Sequence, residues 1–313
     1  MQINPIAILI VIISIVGSAT ASMASESIIF EPYTSGGCKP YSKKQLESIK
    51  ASRNPNLIAG AGAIDFLTNP ASTVSKDFLA MGSRIESPKG AATVYLITFQ
   101  LNQNLPLIPL KEHILELLHD DKENALPYYL NALLKQEKSK EKDALEQIKK
   151  GNEKTFNSYL KQRFYSTVKA AQIAKCSGNH ARRHAIWNSV SDVITRKSRQ
   201  LCRNLIKSNG QDARNACFLM GQKLEQGSLT CLGKVFGLVI QFDSFDDIPS
   251  NAAARMEIKK KWQSAYACGE RRAWDIEETD MTEVADLNFY EIYLEKGEAA
   301  AQEFLADSVK QRH

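Results

Sequence analysis

No Cys-x-x-Cys pair occurs in the 313 residues, which excludes a thioredoxin-type redox centre, c-type haem attachment and the common zinc ribbons. Also missing are a Gly-x-Ser-x-Gly elbow and a phosphate-binding loop, so two large enzyme classes lack their signatures here. No charged side chain precedes Glu26. No apolar stretch reaches the roughly 20 residues that a membrane-spanning helix needs. The longest, Ile6 to Val16, is followed by small residues, with Ala19-Thr20-Ala21 and Ser22-Met23-Ala24 as candidate cleavage sites. An apolar core of that length with such a tail predicts a secretory signal over residues 1–24, although the usual Lys or Arg before it is missing. If retained, the same segment would tie the chain to a membrane.

What is present is ordinary for a globular protein: 43% apolar and 24% charged residues. All six cysteines, Cys38, Cys176, Cys202, Cys217, Cys231 and Cys268, lie beyond the signal. An even count in an exported chain favours disulfides, and the expected location is the periplasm. The net charge of +5 is unevenly spread. Lys135 to Lys207 holds 18 basic and 6 acidic side chains, whereas Glu270 to His313 holds 12 acidic and 5 basic. Solvated helix faces account for most of this, and a basic surface for an acidic partner is the sharper alternative.

Residues 25–40 are rich in turn formers and read as an irregular leader that Cys38 ties down. Helices are predicted at Tyr41 to Ala51, Leu57 to Leu67, Thr73 to Ile85 and Ala91 to Leu101, making residues 41–108 an N-terminal helical segment. The last of these, ATVYLITFQLNQ, suits a strand by composition; with no second strand to pair with it, helix is the better assignment. Beyond it, residues 109–313 repeat the helical period. Phe156, Leu160, Phe164, Val168 and Ala171 make one stripe, and Ile186, Val190, Ile194, Leu201 and Leu205 another. A helix restarted at Pro249 is expected to stop at Gly269, and a last pair spans Thr282 to Lys296 and Glu298 to Lys310. The predicted fold class is all-α, an array of antiparallel helical hairpins.

Asn124 to Glu153, NALPYYLNALLKQEKSKEKDALEQIKKGNE, places Tyr128 at a bulky first-helix position, small Ala132 and Ala144 where two helices approach, and Ile148 beside them. In this it resembles a tetratricopeptide repeat, with Lys135 and Gly151 departing from the usual aromatic and alanine. Asp212 to Phe242, with Gly221 at the close-approach position, and Leu287 to Val309 look like further hairpins. The resemblance, to a divergent tetratricopeptide-like or Sel1-like α-solenoid, implies protein binding rather than catalysis.

Cys202 and Cys217 stand seven to eight residues on either side of Asn209-Gly210. At 1.5 Å per residue both lie about 11 Å from that tip, so antiparallel arms set them level. A level pair reaches the roughly 5.5 Å Cα separation a disulfide wants. Two buried thiols or a metal pair are the alternatives. Pairings among Cys38, Cys176, Cys231 and Cys268 stay open.

His180 and His184 share a helix face, as two zinc ligands would, yet Arg183 stands where a metalloprotease has its glutamate. A solvent-facing first turn is the plainer account. Gly60 and Gly62 in AGAGA suggest a tight helix contact, and Trp187, Trp262 and Trp274 read as core residues. No catalytic, cofactor-binding or metal-binding residue is assigned, and no cofactor is expected. The functional expectation is an exported envelope scaffold or protein-binding module whose partner is a protein or an anionic envelope component. Nucleic acid is not expected, and a membrane only if the N-terminal segment is retained. The alternative is a cell-wall-directed hydrolase with a carboxylate before Asn104.

Overall fold

Ser42 opens the first helix with a reciprocal cap: its hydroxyl accepts from Gln45 N, and the Gln45 side chain accepts from Ser42 N. From there the computed structural model, which describes residues 39–68, 74–84, 90–176, 193–245, 251–270 and 283–310, is helix after helix. These are α1 (Lys43–Ala51), α2 (Pro55–Thr68), α3 (Val74–Arg84), α4 (Gly90–Asn102), α5 (Lys111–Asp120), α6 (Ala125–Glu137), α7 (Glu141–Asn152), α8 (Leu160–Ile173), α9 (Val193–Gly227), α10 (Cys231–Asp243), α11 (Ala252–Glu270), α12 (Glu283–Lys296) and α13 (Glu298–Lys310). The fold class is all-α. Among the described residues the sole β feature is an isolated bridge between Asn124 and Thr155. The chain divides into two units, residues 1–36 and 37–313, and the described residues belong to the second. The apolar N-terminal run, Cys38, His180, His184, Trp187 and Trp274 lie outside the described residues.

The ambiguous segment is a helix because it is buried on all sides. Ala91 through Thr98 of α4 are each buried, so this helix has no polar face for water, and a helix keeps its backbone hydrogen bonds within itself. Around it forms the largest apolar cluster, which joins Val94 and Leu96 of α4 to Leu130 of α6, Ile148 of α7, Leu201, Leu205 and Met220 of α9 and Ile240 of α10. That cluster draws on both segments drawn from the sequence, 41–108 and 109–313. A smaller one gathers Ile49, Ile58, Ile64, Phe78, Ala170 and Ala171, and a third sets Leu160 and Phe164 against Phe289, Tyr290 and Tyr293.

Between α6 and α11, α6 packs on α7, α7 on α9, α9 on α10 and α10 on α11. Helix α8 leaves this series and packs on α2. A Cβ added at Gly60 would stand 2.9 Å from the Ser166 backbone of α8 and one at Gly62 2.9 Å from Ser75 O of α3, so the tight contacts expected of AGAGA are made by α2 with both helices. Tyr41 Oη donates to Ala170 O at 2.9 Å and Tyr95 Oη to Arg163 O at 2.6 Å, both reaching the same helix. Burial pushes the Tyr95 phenol up to about 12, so it stays protonated and donating at neutral pH.

Phe156 precedes α8, which begins at Leu160 after a left-handed Tyr159 (φ 56°), and its ring instead stacks beside Tyr129 at 6.5 Å. Helix α11 runs to Glu270, past the expected stop at Gly269.

Candidate functional site

The backbone turns at Gly210 inside α9, where φ is 57° and ψ is −132°, a conformation that favours glycine. Fifteen residues of straight helix would separate Cys202 from Cys217 by roughly 22 Å. Their Cα atoms are 5.7 Å apart and the sulfurs are bonded, so α9 is a hairpin of two arms tied near its tip. Both cysteines are buried, with Met220 Sδ 3.9 Å from Cys202 Sγ. A metal pair would need thiolates, which the bond removes. Cys176 and Cys231 are disulfide-bonded as well, whereas Cys38 and the Cys268 side chain lie outside the described residues.

The tied hairpin is held by its neighbours. Arg199 Nε and Arg203 Nε each donate to Asp243 Oδ2 at 2.9 Å, fastening the first arm to the end of α10. The second arm takes Asn152 Nδ2 on Ala216 O at 2.9 Å, and Lys223 Nζ of that arm donates to Lys154 O at 2.8 Å. Backbone meets backbone between this arm and α10, since a Cβ at Gly221 would fall 2.7 Å from Gly237 O and one at Gly237 2.5 Å from Glu225 N.

Helices α6 and α7 form the seat. Ala132, Ala144 and Ile148 are fully buried between them and their neighbours. Tyr128 is not the buried aromatic. It is half-buried and donates to Lys122 O at 3.1 Å, while its neighbour Tyr129 is fully buried and donates to Asn152 Oδ1 at 2.9 Å. Asn152 therefore relays between the Tyr129 phenol and the α9 backbone. Burial raises the Tyr129 phenol well above its ordinary range, which keeps it a donor. Gly151 explains itself here: a Cβ would stand 2.7 Å from the Tyr129 ring.

Asn124 caps α6 by accepting from Leu126 N at 3.0 Å, and its amide nitrogen donates to Asp121 Oδ2 and Asn157 O, each at 2.9 Å. Tyr159 Oη also donates to Asp121 Oδ2. Glu298, at the start of α13, accepts from Cys231 N at 2.7 Å and so caps α10 from another hairpin. Burial raises the Glu298 carboxyl, opposed by the Cys231 N–H, Lys234 and Gln302.

In the window between the ordinary glutamate range and that raised value, the native state holds a proton that the unfolded chain has released. Stability from this group therefore falls as pH rises through the window. Glu298→Gln keeps an acceptor oxygen without the buried charge. We expect its unfolding free energy at pH 7 to match or exceed that of the native protein, with the slope from this group gone. Glu298→Ala, leaving the Cys231 N–H unpaired, is expected to cost about 1–2 kcal/mol. Denaturant curves from pH 4 to 8 check this, and equal losses for both variants would refute it.

Among the described residues no cluster of three or more His, Cys, Asp or Glu side chains is arranged to hold a metal. His119 is solvent-facing beside Asp120, and Trp262 is half-buried, stacked on Tyr266 with centroids 5.3 Å apart. The arrangement can hold helices in fixed register. No protein-family model, curated protein or solved structure matches this chain.

Proposed function

We propose that the protein is an exported scaffold that binds a protein partner in the bacterial periplasm, using a tetratricopeptide-like stack of hairpins from α6 to α11. The observation that carries this reading is the bonded Cys202–Cys217 pair inside the main core. Structural cystines are characteristic of oxidising compartments, since the thiol pools of most cytosols keep such pairs reduced. Serial packing of α6, α7, α9, α10 and α11 supports a repeat-like support for binding, and the polar groups of its seat named above are committed to caps and backbone bridges.

The test is made in the native host. The protein should leave the cell with osmotic-shock fluid, begin at Ser22 or Ser25 on N-terminal sequencing, and cross-link to a partner that rebinds it after separate purification. Recovery in the cytoplasm with Met1 intact would refute export, and absence of any rebinding partner would refute the scaffold role.

A further inference from the structure

Helix α11 lies outside the basic stretch picked out in the sequence, yet it carries four basic side chains and one acidic one between Ala252 and Ala267. Its inner side is fixed. Ile258 is buried, Arg255 lies over the Phe242 ring of α10 at 4.5 Å, and Lys261 reaches Glu225 of α9 at 3.9 Å. At 100° per residue, Met256, Lys259, Lys260, Gln263, Tyr266 and Ala267 share an arc of about 120°, centred roughly 140° around the helix from Ile258. All six are exposed, and Met256 and Tyr266 are large apolar or aromatic groups at 58% and 39% exposure.

We infer that this stripe is a docking surface for an anionic lipid bilayer. Met256 and Tyr266 stand ten residues apart, roughly 15 Å along the axis and about 80° around it, so both fall within the one arc that a flat surface can cover. Lys259 and Lys260 fall on either side of the line joining them. There their apolar stems lie along the helix while the ammonium groups meet headgroup phosphates. Stacking on Trp262 fixes the Tyr266 ring, whose amphipathic character suits the headgroup level. A laterally mobile lipid phosphate needs no matched geometry to pair with either lysine, and the excess positive charge supplies the complementarity. No helix among the described residues is long and apolar enough to cross a membrane. The inference does not rest on the scaffold reading: export and vesicle binding succeed or fail separately.

The experiment sediments the purified protein, disulfides intact, with vesicles of phosphatidylcholine alone or with 30% phosphatidylglycerol. Binding to the anionic vesicles only, weakening as salt rises, is expected. One lysine near such a surface contributes roughly fivefold in affinity, so Lys259→Glu/Lys260→Glu should weaken binding by at least about 25-fold. Met256→Ser/Tyr266→Ser should weaken it severalfold while its salt dependence persists. These substitutions are on an exposed ridge, and unchanged melting confirms that the variants fold. They also separate α11 from the apolar N-terminal run. Failure of the native protein to bind anionic vesicles at low salt, or equal binding by the lysine variant, would overturn the inference. Capture by immobilised polyglutamate without vesicle binding would also overturn it, assigning the stripe to an acidic protein.

Discussion

Cys202→Ala/Cys217→Ala should lower the unfolding free energy by about 3 kcal/mol, because the bond closes a loop with a sequence separation of 15. Removing two buried sulfurs from the core adds a packing loss to that entropic figure. In a chain of 313 residues each kcal/mol moves the midpoint by about 1.5–2 °C, so a fall of roughly 4–6 °C is expected in calorimetry. Reductant should lower the native protein further than the variant, since it also opens the bonds at Cys176 and Cys231. A double variant that melts with the native protein would show that the arms of α9 are held without the bond.

The second large effect belongs to Gly237. Alanine at that position gains up to about 1 kcal/mol of helix propensity. Against this, its Cβ would stand 2.5 Å from Glu225 N and 2.7 Å from Gly221 O, both backbone atoms that no rotamer change can move aside. The arm of α9 and α10 must part, and overpacking of this kind costs about 1–3 kcal/mol, more where main chains collide. With both contacts to main chain the cost lies at the upper end of that range, and we expect a net loss of about 2 kcal/mol in urea unfolding. Gly221→Ala should behave alike, with its Cβ 2.7 Å from Gly237 O. An unchanged or raised midpoint for either variant would mean the two helices do not touch.

Local pattern carried much of this into the sequence. The segment expected from Leu57 to Leu67 is α2, Pro55–Thr68, and that from Ala91 to Leu101 is α4, Gly90–Asn102. The tip between Asn209 and Gly210 was readable because glycine takes the turn conformation, and the level cysteines followed from helical rise alone. Contacts set by distant partners were not readable. Tyr128 and Tyr129 are about 100° apart on α6, and which of them turns inward depends on Asn152 and α9, not on the local period. Packing of α8 on α2 and capping of α10 by Glu298 join residues far apart in the chain, for which spacing gives no signal. For the Phe156 stripe, periodicity ran on past the helix because the ring is apolar for another reason, its place beside Tyr129 and Gly227.

Oxidative closure of α9 is the claim on which both the fold's rigidity and the export reading depend, and peptide mapping of native material tests it directly. Protein alkylated during lysis and digested with trypsin without reduction should yield Gln200–Arg203 covalently joined to Asn215–Lys223. Recovery of those two peptides separately, each carrying an alkylated cysteine, would contradict the account.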